Sequence, residues 1–174
     1  RVSSQFVKCD KNKKKIGERE LFIQRAWKLQ IKENDIKCIK KMKHLLSMND
    51  VKEKEIKELI KKAREIKKNP KKYQKKVFEK VLFTFFAAPS LRTELSFDSA
   101  MFQMGGEVID YHAETSPWSK GKESIEDVAR VVSRYCDIMM IRMYDHKAIE
   151  IIAKNASIPV INGLSDVEHP CQAL

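Results

Sequence analysis

The chain has 174 residues and a formal net charge of +11, a length that fits one domain, or one domain with an extension. A content of 43% hydrophobic and 34% charged residues argues against global disorder. No apolar run approaches the roughly 18 residues of a membrane helix. The four cysteines, Cys9, Cys38, Cys136 and Cys171, contain no CxxC pair, so neither a disulfide framework nor a zinc site is signalled.

Residues 1–80 hold 27 basic and 11 acidic side chains, whereas residues 81–174 hold 8 and 13. The basic excess therefore belongs to the first part alone. Residues 1–43 read as a basic N-terminal extension with a short amphipathic helix at Phe22, Ile23, Ala26 and Trp27. Its Ser-containing start suits a transit-peptide remnant, but Glu18, Glu20 and Glu33 fit that poorly. Free thiols point to an intracellular reducing compartment, cytoplasm or mitochondrial matrix. A chain that starts at Arg1 and stops at Leu174, just inside a helix, reads as cut at both ends.

Ile56, Leu59, Ile60, Ala63 and Ile66 form one stripe of a helix over 51–68. Asp50 and Glu53 are expected to make its capping box, and Asn69-Pro70 to end it. Lys71, Lys72, Lys75 and Lys76 have only Tyr73 as an aromatic neighbour. They read as a solvated face, not a nucleic-acid site. After residue 80, strands are expected at Val81–Phe86, Glu107–Tyr111, Asp137–Arg142 and Ile158–Ile161. Helices fall between them at 91–104, ended by Gly105-Gly106, at 124–135, capped by Ser124, and at His146–Asn155. Another helix opens at His169-Pro170. This alternation implies an α/β fold, with a parallel sheet of four or more strands and helices on both faces.

Ligands in such sheets bind beyond the C-terminal strand ends, and three loops there carry the polar residues. Ser90, Leu91, Arg92 and Thr93 stand at a strand-to-helix turn, where helix N-terminal amides favour an anion. Arg92 adds a planar cationic fork suited to phosphate, and Arg142 follows the third strand. His169 opens the last helix with Gln172 one turn on, a pair that could polarise a carbonyl and orient an amide. Taken alone, Ser90 would be a plain N-cap. His44, His112 and His146 fall in no pattern and receive no role, and Cys171 reads as a small buried residue. There is neither GxxxxGK[ST] nor GxGxxG.

The segment FFAAPSLRTELSF resembles the carbamoyl-phosphate loop of the aspartate and ornithine carbamoyltransferases, with its pattern F-x-x-x-S-x-R-T-R. HPCQAL matches their HPxQ motif, and GKESIEDVARVVSRYCDIMMIR is similar to their linking helix and third strand. The resemblance runs from about His44 to Leu174. It implies a three-layer carbamoyl-phosphate domain over 44–174 without the amino-acid domain, in a homotrimer whose active sites lie between subunits. It further implies that Ser90, the Leu91 backbone, Arg92, Thr93 and Arg142 hold the phosphate of carbamoyl phosphate. Arg92, Thr93 and His169 would polarise the carbamoyl oxygen, and Gln172 would orient the carbamoyl nitrogen. No metal, organic cofactor, nucleic acid or membrane is implied.

Asn162–His169 (NGLSDVEH) looks like the ornithine enzymes, which would place the protein in arginine metabolism, including the urea cycle. Ser116 and Lys120, ahead of Glu123, look instead like the aspartate enzymes, in which this loop reaches a neighbouring subunit's site. Glu94 stands where the family has a second arginine. It is expected to weaken carbamoyl-phosphate binding, and it keeps open a catalytically impaired, carbamoyltransferase-like binding protein. Without the amino-acid domain, these residues are expected to bind carbamoyl phosphate weakly and not to turn over.

Overall fold

The computed structural model describes residues 44–115 and 121–174. The extension 1–43 with its Phe22–Trp27 helix, and the loop residues Ser116 and Lys120, lie outside the described residues.

Helix α1 (Glu53–Lys68) has its charged residues on one side and Ile56, Ile60 and Ile66 half-buried on the other. Its start differs from expectation. Asp50 accepts the Ser47 amide at 2.9 Å and closes a 3-10 turn at Met48–Asp50. The Lys52 amide that opens α1 donates to Glu55 at 2.8 Å. Two overlapping acid-three-on patterns compete here, and Ser47 supplies the better cap for Asp50. Asn69 ends the helix as expected, and a 3-10 turn begins at Pro70. Tyr73 is buried and its hydroxyl donates to Glu65. Hydrogen bonds from Lys62, Tyr73 and Lys72 hold the Glu65 carboxyl down to about 2. Tyr73 is thus committed to its own chain and offers no free face for base stacking.

The sheet consists of β1 (Val81–Phe86), β2 (Glu107–His112), β3 (Ile138–Arg142) and β4 (Val160–Leu164), all parallel, in the order β2-β1-β3-β4. Alternation divides its two faces. Phe83, Phe85, Met139 and Ile141 meet Ala129, Ile149 and Ile152, from α3 (Ile125–Val132) and α4 (His146–Asn155). Leu82, Phe86 and Met140 meet Met101 of α2 (Leu91–Gln103) on the other face. Helices therefore cover both faces, as the alternating pattern requires.

Strand β4 runs later than the expected 158–161. Pro159 has no amide to pair, and the strand continues through Asn162 and Gly163 to Leu164, with a register shift opposite Ile141/Arg142. Helix α3 ends earlier than expected. The Ser133 hydroxyl donates to the Ala129 carbonyl at 2.6 Å and accepts the Ser157 amide at 3.0 Å, and the chain then tightens into i→i+3 bonds at Arg134 and Tyr135.

Gly105 closes α2 at φ +86°, and a Cβ there would collide with the Gln74 carbonyl oxygen. Gly105→Ala is expected to lower unfolding stability by about 1–3 kcal/mol, through backbone strain and that contact. Urea denaturation of the two proteins checks it.

The strand order sets the location of the site. The chain leaves β1 towards β2 but leaves β3 towards β4, so the connections diverge between β1 and β3. The crevice beyond those two strand ends is where open α/β sheets hold ligands.

Candidate active site

Short loops feed this crevice from β1, β3 and β4. The Ala87 amide donates to the Arg142 carbonyl at 2.8 Å, and the Met143 amide to the Leu164 carbonyl at 3.1 Å. The three strand ends are thereby held together. Ser90, Leu91, Arg92, Thr93, Arg142, His169 and Gln172 all line one cavity of about 590 Å³, so every predicted site residue among those described is brought to one place.

Ser90 is the N-cap of α2, yet its hydroxyl makes no capping bond. The side-chain capping bond expected of a plain N-cap at Ser90 is thus not made, and the residue lines the cavity instead. The first-turn amides of α2 have no intrahelical acceptors and carry the positive end of the helix dipole. Thr93 is buried, and its hydroxyl accepts Nη1 of Arg142 at 3.4 Å. That bond lies at the long limit, so the guanidinium is only loosely held. Its Nε is buried without a partner.

His169 caps α5 (Pro170–Ala173) without a side-chain capping bond, and its Nδ1 is likewise buried and unpartnered. Burial, and then the Arg142 charge, pull the His169 imidazole below the usual histidine value. An unpaired buried donor or acceptor costs about 1–3 kcal/mol. Two of them on one cavity mark a site arranged for a polar ligand, not for its own packing.

The loop carrying His169 is fixed from below by Asn162, whose significance the sequence did not reveal. Fully buried, Asn162 donates to the Leu46 carbonyl at 2.9 Å and accepts the Leu164 amide at 2.9 Å. Its Asn-Gly context reads as a turn and conceals that role. Cys171 is partly buried, as expected, but also lines the cavity. Its thiol meets the Asn162 carbonyl at 3.6 Å, and burial pushes its pKa up. Phe97 and Ser96 line the cavity as well, one helical turn beyond Thr93. Their signal was the i, i+3/i+4 spacing from that residue.

Glu94 is not among the cavity residues. Its carboxylate lies 3.9 Å from His112 Nε2 at the end of β2. Nearby, Asp98 has a buried, unpartnered Oδ1, and its carboxyl is raised by burial, by Asp110 and by Glu94. Asp110 in turn accepts from Thr84. A folded-state value above the unfolded one means stability is lost as pH rises through the Asp98 titration, so at neutral pH this cluster is a cost. Glu94→Arg removes one of the causes and offers Asp98 a cation. It is expected to raise the melting temperature by about 2–4 °C.

Among the described residues, no group of three or more His, Cys, Asp or Glu side chains is placed to hold a metal ion.

Residues 43–174 match the family model for the carbamoyl-phosphate binding domain of aspartate/ornithine carbamoyltransferase. Over 133 residues the chain is 44% identical to the catabolic ornithine carbamoyltransferase of Halobacterium salinarum, covering 76% of this chain and 45% of that protein. Among solved structures, ornithine carbamoyltransferase from Pyrococcus furiosus superposes with a TM-score of 0.71 at 42% identity, over 75% of this chain and 42% of that one. The catalytic subunit of aspartate transcarbamoylase from M. jannaschii gives 0.67 at 38% identity, over 75% and 44%. The chain thus spans less than half the length of these relatives.

Proposed function

Because the chain belongs to the aspartate/ornithine carbamoyltransferase family, we propose that the protein transfers the carbamoyl group of carbamoyl phosphate to the side-chain amine of ornithine, giving citrulline and phosphate. The observation that carries this reading is the pair of buried, unpartnered nitrogens, Arg142 Nε and His169 Nδ1, on the one cavity that receives the α2 N-terminus.

In this reading the α2 amides, the Ser90 hydroxyl, Arg92, Thr93 and Arg142 hold the phosphate dianion. Bidentate arginine contacts add direction as well as charge. The ornithine amine attacks the carbamoyl carbon, and oxygen charge grows as a tetrahedral centre forms. Arg92, Thr93 and the His169 imidazole donate to that oxygen, while Gln172 orients the carbamoyl nitrogen. As the C–O bond breaks, phosphate leaves and takes up the proton that the attacking amine sheds. Fixed donors and positioning suffice, with no covalent intermediate on the protein.

Ornithine is favoured by the loop Asn162–His169 and by the relatives named ornithine carbamoyltransferase. Aspartate is the second reading, favoured by Ser116 and Lys120 and by the M. jannaschii neighbour. A binding protein without catalysis draws its support from Glu94, whose carboxylate is turned to His112. The homotrimer fits an apolar face of α2 on which Leu91, Leu95 and Phe102 are 74%, 55% and 61% exposed; a second copy would cover it.

The test is product formation by the full-length protein, with ornithine and aspartate compared as acceptors. Citrulline is expected. Carbamoyl-aspartate in its place would move the assignment to the second reading, and carbamoyl-phosphate binding without either product would favour the binding protein.

A further inference from the structure

The segment 164–168 that leads into His169 is tied to the start of α4 at two points. The Asp166 amide donates to the Tyr144 carbonyl at 2.8 Å, and its carboxylate accepts the His146 amide at 3.1 Å. The second tie is Ser165, which is buried. Its hydroxyl oxygen faces three N–H donors: Asn162 Nδ2 at 3.3 Å, the Val167 amide at 3.3 Å and the Glu168 amide at 3.4 Å. A serine hydroxyl has two lone pairs and one hydrogen. Its accepting capacity is therefore already filled, and only its proton remains to be placed.

Two acceptors are within reach, the Glu168 carbonyl at 3.4 Å and His146 Nδ1 at 2.7 Å. The second distance is that of a well-formed bond, and the first is at the limit. The Ser165 proton therefore goes to His146. This fixes the imidazole as the tautomer with a bare Nδ1 and a protonated Nε2. Nε2 lies on the Glu150 side, 3.9 Å from its carboxylate. A hydrolytic Ser–His pair does not fit this setting, because a buried hydroxyl whose two lone pairs already face backbone and side-chain N–H donors is not a free nucleophile.

We propose that His146, acting through Ser165, is a positioning residue that fixes the loop presenting His169 to the cavity. Its kinetic consequence rests on the carbamoyl-transfer reading above, whereas its structural consequence does not. Without the His146 acceptor, the Ser165 hydrogen turns to the Glu168 carbonyl, the hydroxyl loses its orientation, and the two amides it organises loosen. Asp166 continues to hold the backbone, so the fold survives while the His169 approach broadens.

The experiment compares wild type, His146→Leu and His146→Asn in the full-length protein. The Asn side chain can place an acceptor near the position of Nδ1; Leu cannot. Amide hydrogen exchange over residues 164–169 is expected to quicken about fivefold in the Leu variant, the equivalent of one lost buried hydrogen bond, and to return to within about twofold of wild type in the Asn variant. With carbamoyl phosphate and ornithine, kcat should follow the same order while KM for carbamoyl phosphate changes less.

Unchanged exchange in the Leu variant, or an Asn variant no better than Leu, overturns the proposal. Should the Leu variant fail to fold, the 15N shifts of the wild-type His146 imidazole decide the matter. A bare Nδ1 is expected, and a protonated Nδ1 contradicts the assignment. If the wild type neither binds carbamoyl phosphate nor forms product, the carbamoyl-transfer reading falls, and the exchange and tautomer results still judge this one.

Discussion

Replacing Arg142 with methionine is expected to raise the dissociation constant for carbamoyl phosphate by roughly 30- to 100-fold, the equivalent of losing about 2–3 kcal/mol of charge-assisted hydrogen bonding. The site has few charges to share the loss. Residues 81–174 carry more acids than bases, so anion binding depends on placed groups and not on bulk charge. Within the cavity those are Arg92, exposed on the first turn of α2, and Arg142, half-buried at the end of β3. The fold should tolerate the change. The guanidinium holds Thr93 only at 3.4 Å, its Nε has no protein partner, and methionine keeps an aliphatic stem against the neighbouring side chains. Calorimetric titration of the two proteins measures the effect. Equal affinities would mean that the phosphate sits elsewhere.

His169→Ala is expected to act on the other kinetic parameter. Removing one preorganised donor from a developing oxyanion costs about 10²–10³ in kcat, while the phosphate contacts remain and the carbamoyl-phosphate dissociation constant stays within about threefold. Steady-state and binding measurements on the same protein separate the two. A pH signature accompanies the change. The His169 imidazole is held below the usual histidine value by burial and by Arg142, so as pH falls below about 6.5 the unfolded chain takes up a proton that the folded one refuses. Stability contributed at neutral pH is thereby lost on the acid side. His44 adds to the same slope: burial lowers its value against an opposing pull from Asp50, and its Nδ1 accepts the Val160 amide at 3.1 Å. The melting temperature of wild type should therefore drop between pH 7.5 and 5.5, and His169→Ala should drop less. An identical slope in both would remove His169 from this role.

Where one signal dominated, the sequence was a good guide. VLFTFF is a mostly apolar run rich in aromatic and β-branched residues, and it became β1 at the expected residues. His146–Asn155 likewise formed as expected, because Asp145 caps it, its side chain accepting the Ala148 amide at 3.3 Å. Where two local signals overlapped, tertiary pairing chose between them. Asn162-Gly163 carries a turn signature, yet it lies in β4, where the buried Asn162 side chain is satisfied by Leu46 and Leu164 from opposite sides. The cap of α1 moved for a related reason, since Ser47 competed for Asp50.

The site shows the same division. The residues grouped along one turn, Ser90 to Thr93, which line the cavity together, were legible as a strand-to-helix turn from spacing, and as a candidate site from the family resemblance. Those whose role depends on a strand neighbour were not. Glu94 is answered by His112, 18 residues on, and His146 by Ser165, 19 residues on. No periodicity joins such pairs until the parallel order β2-β1-β3-β4 brings their strand ends together.

The most direct test of the account is a titration of carbamoyl phosphate into the full-length protein, followed by the 15N resonances of Arg142 Nε and the His169 imidazole. These are the two groups that the structure leaves buried without partners on one cavity. Both are predicted to shift on a single saturation curve that inorganic phosphate reproduces for Arg142 but only weakly for His169, since the carbamoyl oxygen is the partner that phosphate lacks. Saturable binding that moves neither resonance would contradict the assignment of this cavity as the carbamoyl-phosphate site.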